Sequence, residues 1–167
     1  MAIDVTAKSA TAVAYDTAAN ADAYFLARGI TTWTGTDAVK ESAIIRGADY
    51  LDRTYRWLGV KTTQDQSMDW PRGWLNDVDG YPIDADLIPI EIKQANFEAA
   101  LLVLTGTELE PVLVRGGSVT KSSVKAGPVS TTKEYSAGAP ARSVLTTVDG
   151  LLTGLVVQGS SQPLARV

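Results

Sequence analysis

Residues 50–74, YLDRTYRWLGVKTTQDQSMDWPRGW, run from the second half of an amphipathic helical pattern into a loop bracketed by tryptophans, and three of the chain's four tryptophans lie there. The helical pattern begins upstream. Thr36 can cap a helix over 37–58, in which Ile44, Ala48, Leu51, Tyr55 and Leu58 recur at spacings of four and three, an apolar stripe for one side. Arg46, Asp49, Arg53 and Arg56 mark the opposite side, where Asp49 with Arg53 and Asp52 with Arg56 form acid-before-base pairs four apart. That side reads as solvated or subunit-facing. In the loop, Trp70-Pro71-Arg72 sets a large ring before a proline that disfavours helical backbone at its neighbour. The reading is that Trp70 plugs the loop back onto the helix and that Arg72 is engaged by a carboxylate or a carbonyl.

On either side the same logic gives two more helices. Thr17 can cap one that ends near Arg28, with Gly29 as its stop. A third starts near Asp86 or Pro89 and ends at Gly106, with Ile88, Ile92, Ala95, Ala99 and Leu102 repeating the stripe; Pro89 fits only the first turn. Ile44, Leu51 and Leu58 are therefore expected to face Ile92, Ala99 and Leu102 in a helix-on-helix core. The connection between the two long helices, 59–85, is too long for a tight turn and reads as a functional loop.

From Glu110 the composition changes. Val112 and Val114 alternate, Gly116-Gly117 breaks the chain, and 119–135 reads as two short extended stretches around Gly127-Pro128, a hairpin or projecting arm. Val144, Leu145, Val148, Leu151, Leu152 and Leu155 then recur at helical spacing after a cap at Ser143 or Thr147, and 158–167 reads as a flexible tail. This short helix either completes the core or docks on a partner. The expected architecture is mainly α: a helical domain over 1–109, an extended β-like arm over 110–142, and a short C-terminal helix with a tail over 143–167. Truncation after Gly138 is expected to leave the helical domain folded.

Composition narrows the function classes. The chain has 167 residues, no cysteine and no histidine, so disulfides, thiolate metal sites and the commonest general base are all missing. Residues 1–15 have no sustained apolar core, so they are not read as a signal peptide, and no run reaches the ~20 apolar residues of a membrane span. Net charge is −4. It is uneven: 1–109 holds 9 basic and 16 acidic residues, whereas 110–167 holds 6 basic and 3 acidic. An acidic helical part is a poor surface for neutralising phosphates.

The acidic loop Asn76-Asp77-Val78-Asp79-Gly80, followed by Asp84 and Asp86, matches the middle of a calcium loop but puts Leu75 at its first position and the short Asp86 at its last. Turn chemistry explains it better, with Asp79-Gly80 as the turn and Asp86 near a helix N-terminus. The aspartates are too close in sequence to flank a glycosidic bond. Ser118, Ser122 and Ser123 beside Lys121 and Lys125 read as polar surface. No catalytic, cofactor-binding or metal-binding residue is assigned. For nucleic acid the candidate patch is Arg53, Arg56, Arg72 and Trp70, with Lys61, Tyr55, Trp57 and Trp74 nearby, since cationic side chains interleaved with aromatic rings suit sequence-independent single-strand binding. Asp49, Asp52, Asp65 and Asp69 lie among them and cancel their charge.

Residues 50–74, taken with Asp22-Ala23-Tyr24-Phe25-Leu26-Ala27-Arg28-Gly29 upstream and Ile88-Pro89 downstream, resemble the head-tail adaptor (connector) proteins of tailed bacteriophages over about 15–106, with a weaker echo up to Tyr135. Some members of that group are labelled primosomal-type single-stranded-DNA-binding proteins, so the resemblance carries two readings. The first implies a structural protein of the virion neck, assembled in the bacterial cytoplasm. Copies would form a ring, dodecameric to match the portal, between the portal protein and the next neck, stopper or tail protein, with DNA passing through unbound and no membrane involved. Leu151, Leu152, Leu155 and Val156 are the expected partner-binding anchors, with the tail ordering on contact. The second implies a replication accessory protein that binds single strands through the basic-aromatic patch.

Overall fold

We describe a computed structural model of the chain over residues 3–109, 119–125, 130–135 and 145–157. It is mainly helical, with a two-stranded antiparallel arm and a short C-terminal helix. Two compact units result: Met1–Leu109 with Val144–Val167, and Glu110–Ser143.

In the first unit, α1 (Ala18–Ala27) begins where the Thr17 hydroxyl accepts a hydrogen bond from the Asn20 N–H, and α2 (Asp37–Thr54) begins with Thr36 accepting from Val39. These caps satisfy donors that a first helical turn leaves open. Helix α3 (Ile90–Leu104) follows Pro89 directly, and α4 (Thr146–Leu151) is a single short helix. The central packing is α2 on α3. Ile44, Ala48 and Leu51 are buried together with Ile92, Ala95 and Ala99, as the two stripes require. Gly47 lets the backbones meet: a Cβ there would lie 2.9 Å from both the carbonyl oxygen and the side-chain nitrogen of Asn96. Asn96, itself buried, donates from Nδ2 to the Ile44 carbonyl at 2.8 Å and accepts from the Tyr15 N–H at 3.4 Å. One amide thus joins α2, α3 and the N-terminal segment, its polar atoms satisfied where burial would otherwise be costly.

Helix α2 ends four residues earlier than its apolar stripe suggests. Tyr55 has extended backbone (φ −100°, ψ 144°), so Leu58 lies beyond the helix, 39% exposed, and takes no part in the α2–α3 core. The chain leaves the helix because residues 56–58 pair with the C-terminal segment: Leu58 N donates to the Leu155 carbonyl at 3.0 Å and Val157 N to the Arg56 carbonyl at 2.8 Å, around a Trp57–Val156 bridge. Ladder bonds to a distant segment override helical periodicity here.

Residues 59–85 are built rather than loose. Strands β1 (Val60–Lys61) and β2 (Arg72–Gly73) pair antiparallel, Val60 with Gly73 and Lys61 with Arg72. Gly59, at φ +68°, approaches so closely that a Cβ would sit 2.4 Å from the Gly73 carbonyl oxygen. In the second unit, β3 (Val119–Lys125) pairs antiparallel with β4 (Ser130–Tyr135), with a register irregularity between Val119 and Lys121. That irregularity falls where the sequence alternation is poor. Gly127, Pro128, Ser143 and the 158–167 tail lie outside the described residues.

Candidate functional site

The tryptophan-rich run forms an aromatic seam. Tyr50 and Tyr55 stand edge to face at 6.2 Å, Tyr55 and Trp57 lie 5.8 Å apart, and Trp57 meets Trp70 edge-on at 5.7 Å. Trp70 is 1% exposed and Trp57 7%. The plug expected from Trp70-Pro71 is present, with a cis peptide between them. Arg72 is engaged as expected: Nε donates to the Leu58 carbonyl at 2.8 Å, Nη2 to Gly59 at 2.9 Å and Nη1 to Asp69 at 3.2 Å. Its guanidinium thereby ties the end of the α2 segment to the loop.

The same seam secures the C-terminus. Tyr55 Oη donates to Asp149 Oδ1 at 2.6 Å, and Val148, Leu152 and Leu155 are buried in the common core. Of the four residues expected to anchor a partner, Leu152 and Leu155 are therefore covered by their own chain, while Leu151 and Val156 are half-buried against it. Docking through Leu152 or Leu155 would require this segment to leave the core. Truncation after Gly138 would remove Val148, Leu152 and Leu155 from that core. Sequence periodicity gives an apolar face; it does not say whether the face is satisfied within the chain.

Within the basic-aromatic patch, Trp70, Trp57 and Tyr55 are buried and present no free ring face for stacking, whereas Trp74 is exposed. Arg53 pairs with Asp49 at 3.2 Å, Lys61 with Asp69 at 3.1 Å, and Arg72 is held by carbonyls. Arg56 is exposed.

Asp52 departs from its expected pairing with Arg56. It turns inward, accepting from Tyr15 Oη at one oxygen and from the Asp69 N–H at 3.1 Å at the other. Burial pushes its carboxyl up to about 7, opposed by the Tyr15 hydrogen bond and reinforced by the Asp69 charge. The cluster joins the N-terminal segment, α2 and the tryptophan loop. It serves as a half-buried strut, because both carboxylate oxygens are already engaged by this chain's own donors.

Sequence reasoning set Trp74 among the rings of the basic-aromatic patch and gave no sign of how it would be displayed. It is 95% exposed and has left-handed backbone, φ +66°, rare for a bulky L-residue. It opens a small hairpin in which Ile83 N donates to the Leu75 carbonyl and Asp77 N to the Tyr81 carbonyl, with a bridge between Asn76 and Pro82. Asp77 Oδ1 accepts from the N–H groups of Asp79 and Tyr81, and Asp84 Oδ1 from Asp86. The acidic loop is thus turn chemistry, as read. Asp86, however, pairs with Lys8 and precedes α3 by several residues instead of capping it.

With this geometry in place, comparison with known families is informative. Residues 1–167 match the model of a family described as "Putative DnaT-like ssDNA binding protein". The chain belongs to that family. Among curated proteins nothing matches this DnaT-like chain, and no solved structure matches it either.

Proposed function

We propose that this protein is a non-enzymatic structural adaptor that assembles with copies of itself into a ring, of the kind that joins portal to the next neck or tail component in a tailed phage or related particle. The observation that carries the reading is the arm. Strands β3 and β4 pair only with each other, and no third strand lies on either outer edge among the described residues. A two-stranded hairpin is marginal alone and gains stability by packing on another surface or extending another sheet. A heterologous contact of that sort, one patch on a different patch, generates a closed ring when the rotation closes. The charge division supports it, with the acidic 1–109 part opposed to the basic 110–167 part. The resemblance of 15–106 to head-tail adaptors supplies the setting.

Single-strand binding is the second reading, favoured by the family's description and by the exposed ring of Trp74. Against it stand the buried Trp57 and Trp70 and the engaged Arg72. The two part under titration of a labelled oligothymidylate with the full chain near physiological salt. The adaptor reading expects no measurable affinity. Micromolar binding lost when Arg53, Arg56 and Arg72 are changed together would establish the alternative and overturn the proposal.

A further inference from the structure

We infer that the hairpin from Trp74 to Asp84 is the docking surface for the 119–135 arm of a second copy of this chain; the inference rests on the ring reading above. Trp74, Val78 and Tyr81 are 95%, 73% and 71% exposed on one short hairpin. Leu26 and Leu87 are also exposed, but singly, whereas here two aromatic rings and a valine stand on one hairpin, and aromatic residues are the commonest anchors of protein contacts.

The hairpin is held in shape before any partner arrives. Its ladder bonds and the two N–H donors on Asp77 fix the turn, and Val78 seats it on the C-terminal segment, where a methyl at Gly154 would fall 2.5 Å from Val78 Cγ1. A preorganised loop loses little further freedom on binding. Trp74 keeps a left-handed backbone between the β1–β2 pair and the Leu75–Ile83 bond, which fixes where its exposed side chain leaves the chain.

Charge selects the occupant. The hairpin carries Asp77, Asp79 and Asp84 and no basic residue, while Asp86 just beyond it is paired with Lys8. Residues 110–143 carry Arg115, Lys121, Lys125, Lys133 and Arg142 against Glu110 and Glu134. A basic hairpin meets an acidic hairpin displaying apolar side chains, so opposite charge steers the encounter and apolar burial holds it. The acidic setting disfavours a nucleic acid strand at the same place.

The test uses the full chain with a photoreactive phenylalanine analogue at position 74, mixed as isotopically light and heavy preparations and irradiated at low salt. The expected product joins position 74 of one chain to a 119–135 peptide of the other isotopic form. Trp74→Ala should weaken self-association at least about tenfold, with the helical circular-dichroism signal and melting midpoint unchanged because the ring is exposed. An assembled ring that crosslinks elsewhere, or only within one chain, overturns this inference and leaves the ring reading standing. A chain that stays monomeric at every concentration overturns both. Quenching of Trp74 fluorescence by oligothymidylate at physiological salt would assign the surface to nucleic acid instead and overturn the inference.

Discussion

Asp52 gives the protein a pH dependence that a chain without histidine would otherwise lack near neutrality. The unfolded chain releases this proton near 3.8, whereas burial raises the folded carboxyl to about 7. Between those values the native state holds a proton that the unfolded state has lost, so the contribution of Asp52 to stability is fully present below pH ~4 and disappears as pH rises through ~7. A shift of about three units corresponds to a ceiling of about 4 kcal/mol, and residual contact with water reduces the expected figure to about 2 kcal/mol. Asp52→Asn removes the titration. The amide matches the protonated acid in charge and shape, since its oxygen can accept from the Asp69 N–H while its nitrogen donates to the Tyr15 hydroxyl. Urea unfolding of both proteins at intervals from pH 4.5 to 8 reads the difference directly. The variant should stay close to the parent at the acid end and exceed it by about 2 kcal/mol at pH 8, where the parent's carboxyl has ionised. Since no other side chain of this composition ordinarily titrates near neutrality, parallel stability curves across the range would refute the inward placement of Asp52.

Two other perturbations test the core. Leu152→Ala should lower stability by about 2–5 kcal/mol in denaturant titrations, because the side chain is fully buried; truncation after Gly138 should likewise lower the melting midpoint of what remains. Gly47→Ala should destabilise by about 1–3 kcal/mol despite alanine's better helix propensity, since its methyl would press on the Asn96 backbone at 2.9 Å; a more stable variant would show that α2 and α3 separate easily.

The helices were legible in the sequence because their signals are local. Thr17 and Thr36 are caps that act within three residues, and the stripes Ile44-Ala48-Leu51 and Ile92-Ala95-Ala99 repeat at the helical period that packing enforces. Trp70 and Arg72 could be read from residue chemistry, a bulky ring ahead of proline and a cation in a proline-restricted loop among aspartates, although the partners of Arg72 are backbone carbonyls. What stayed hidden depends on distant partners. Leu58 continues a perfect stripe, yet the chain leaves the helix to pair with Leu155, nearly a hundred residues away in sequence. Asp52 sits four residues before Arg56 in an ordinary surface spacing, and only the arrival of Tyr15 and Asp69 turns it inward. Leu152 and Leu155 have the apolar spacing of a docking helix, and Tyr55 with Asp149 decides that they face their own core. Trp74 gave the opposite difficulty, since neither its exposure nor its left-handed backbone is written in its neighbours.

The central claim, assembly of a ring that passes DNA without gripping it, is met most directly by native mass spectrometry of the full chain with electron-microscope imaging of the same sample. The account predicts closed rings, dodecameric if they match a portal, and their loss when the 119–135 arm is deleted. A chain that remains monomeric at every concentration and binds single-stranded DNA at physiological salt would contradict it.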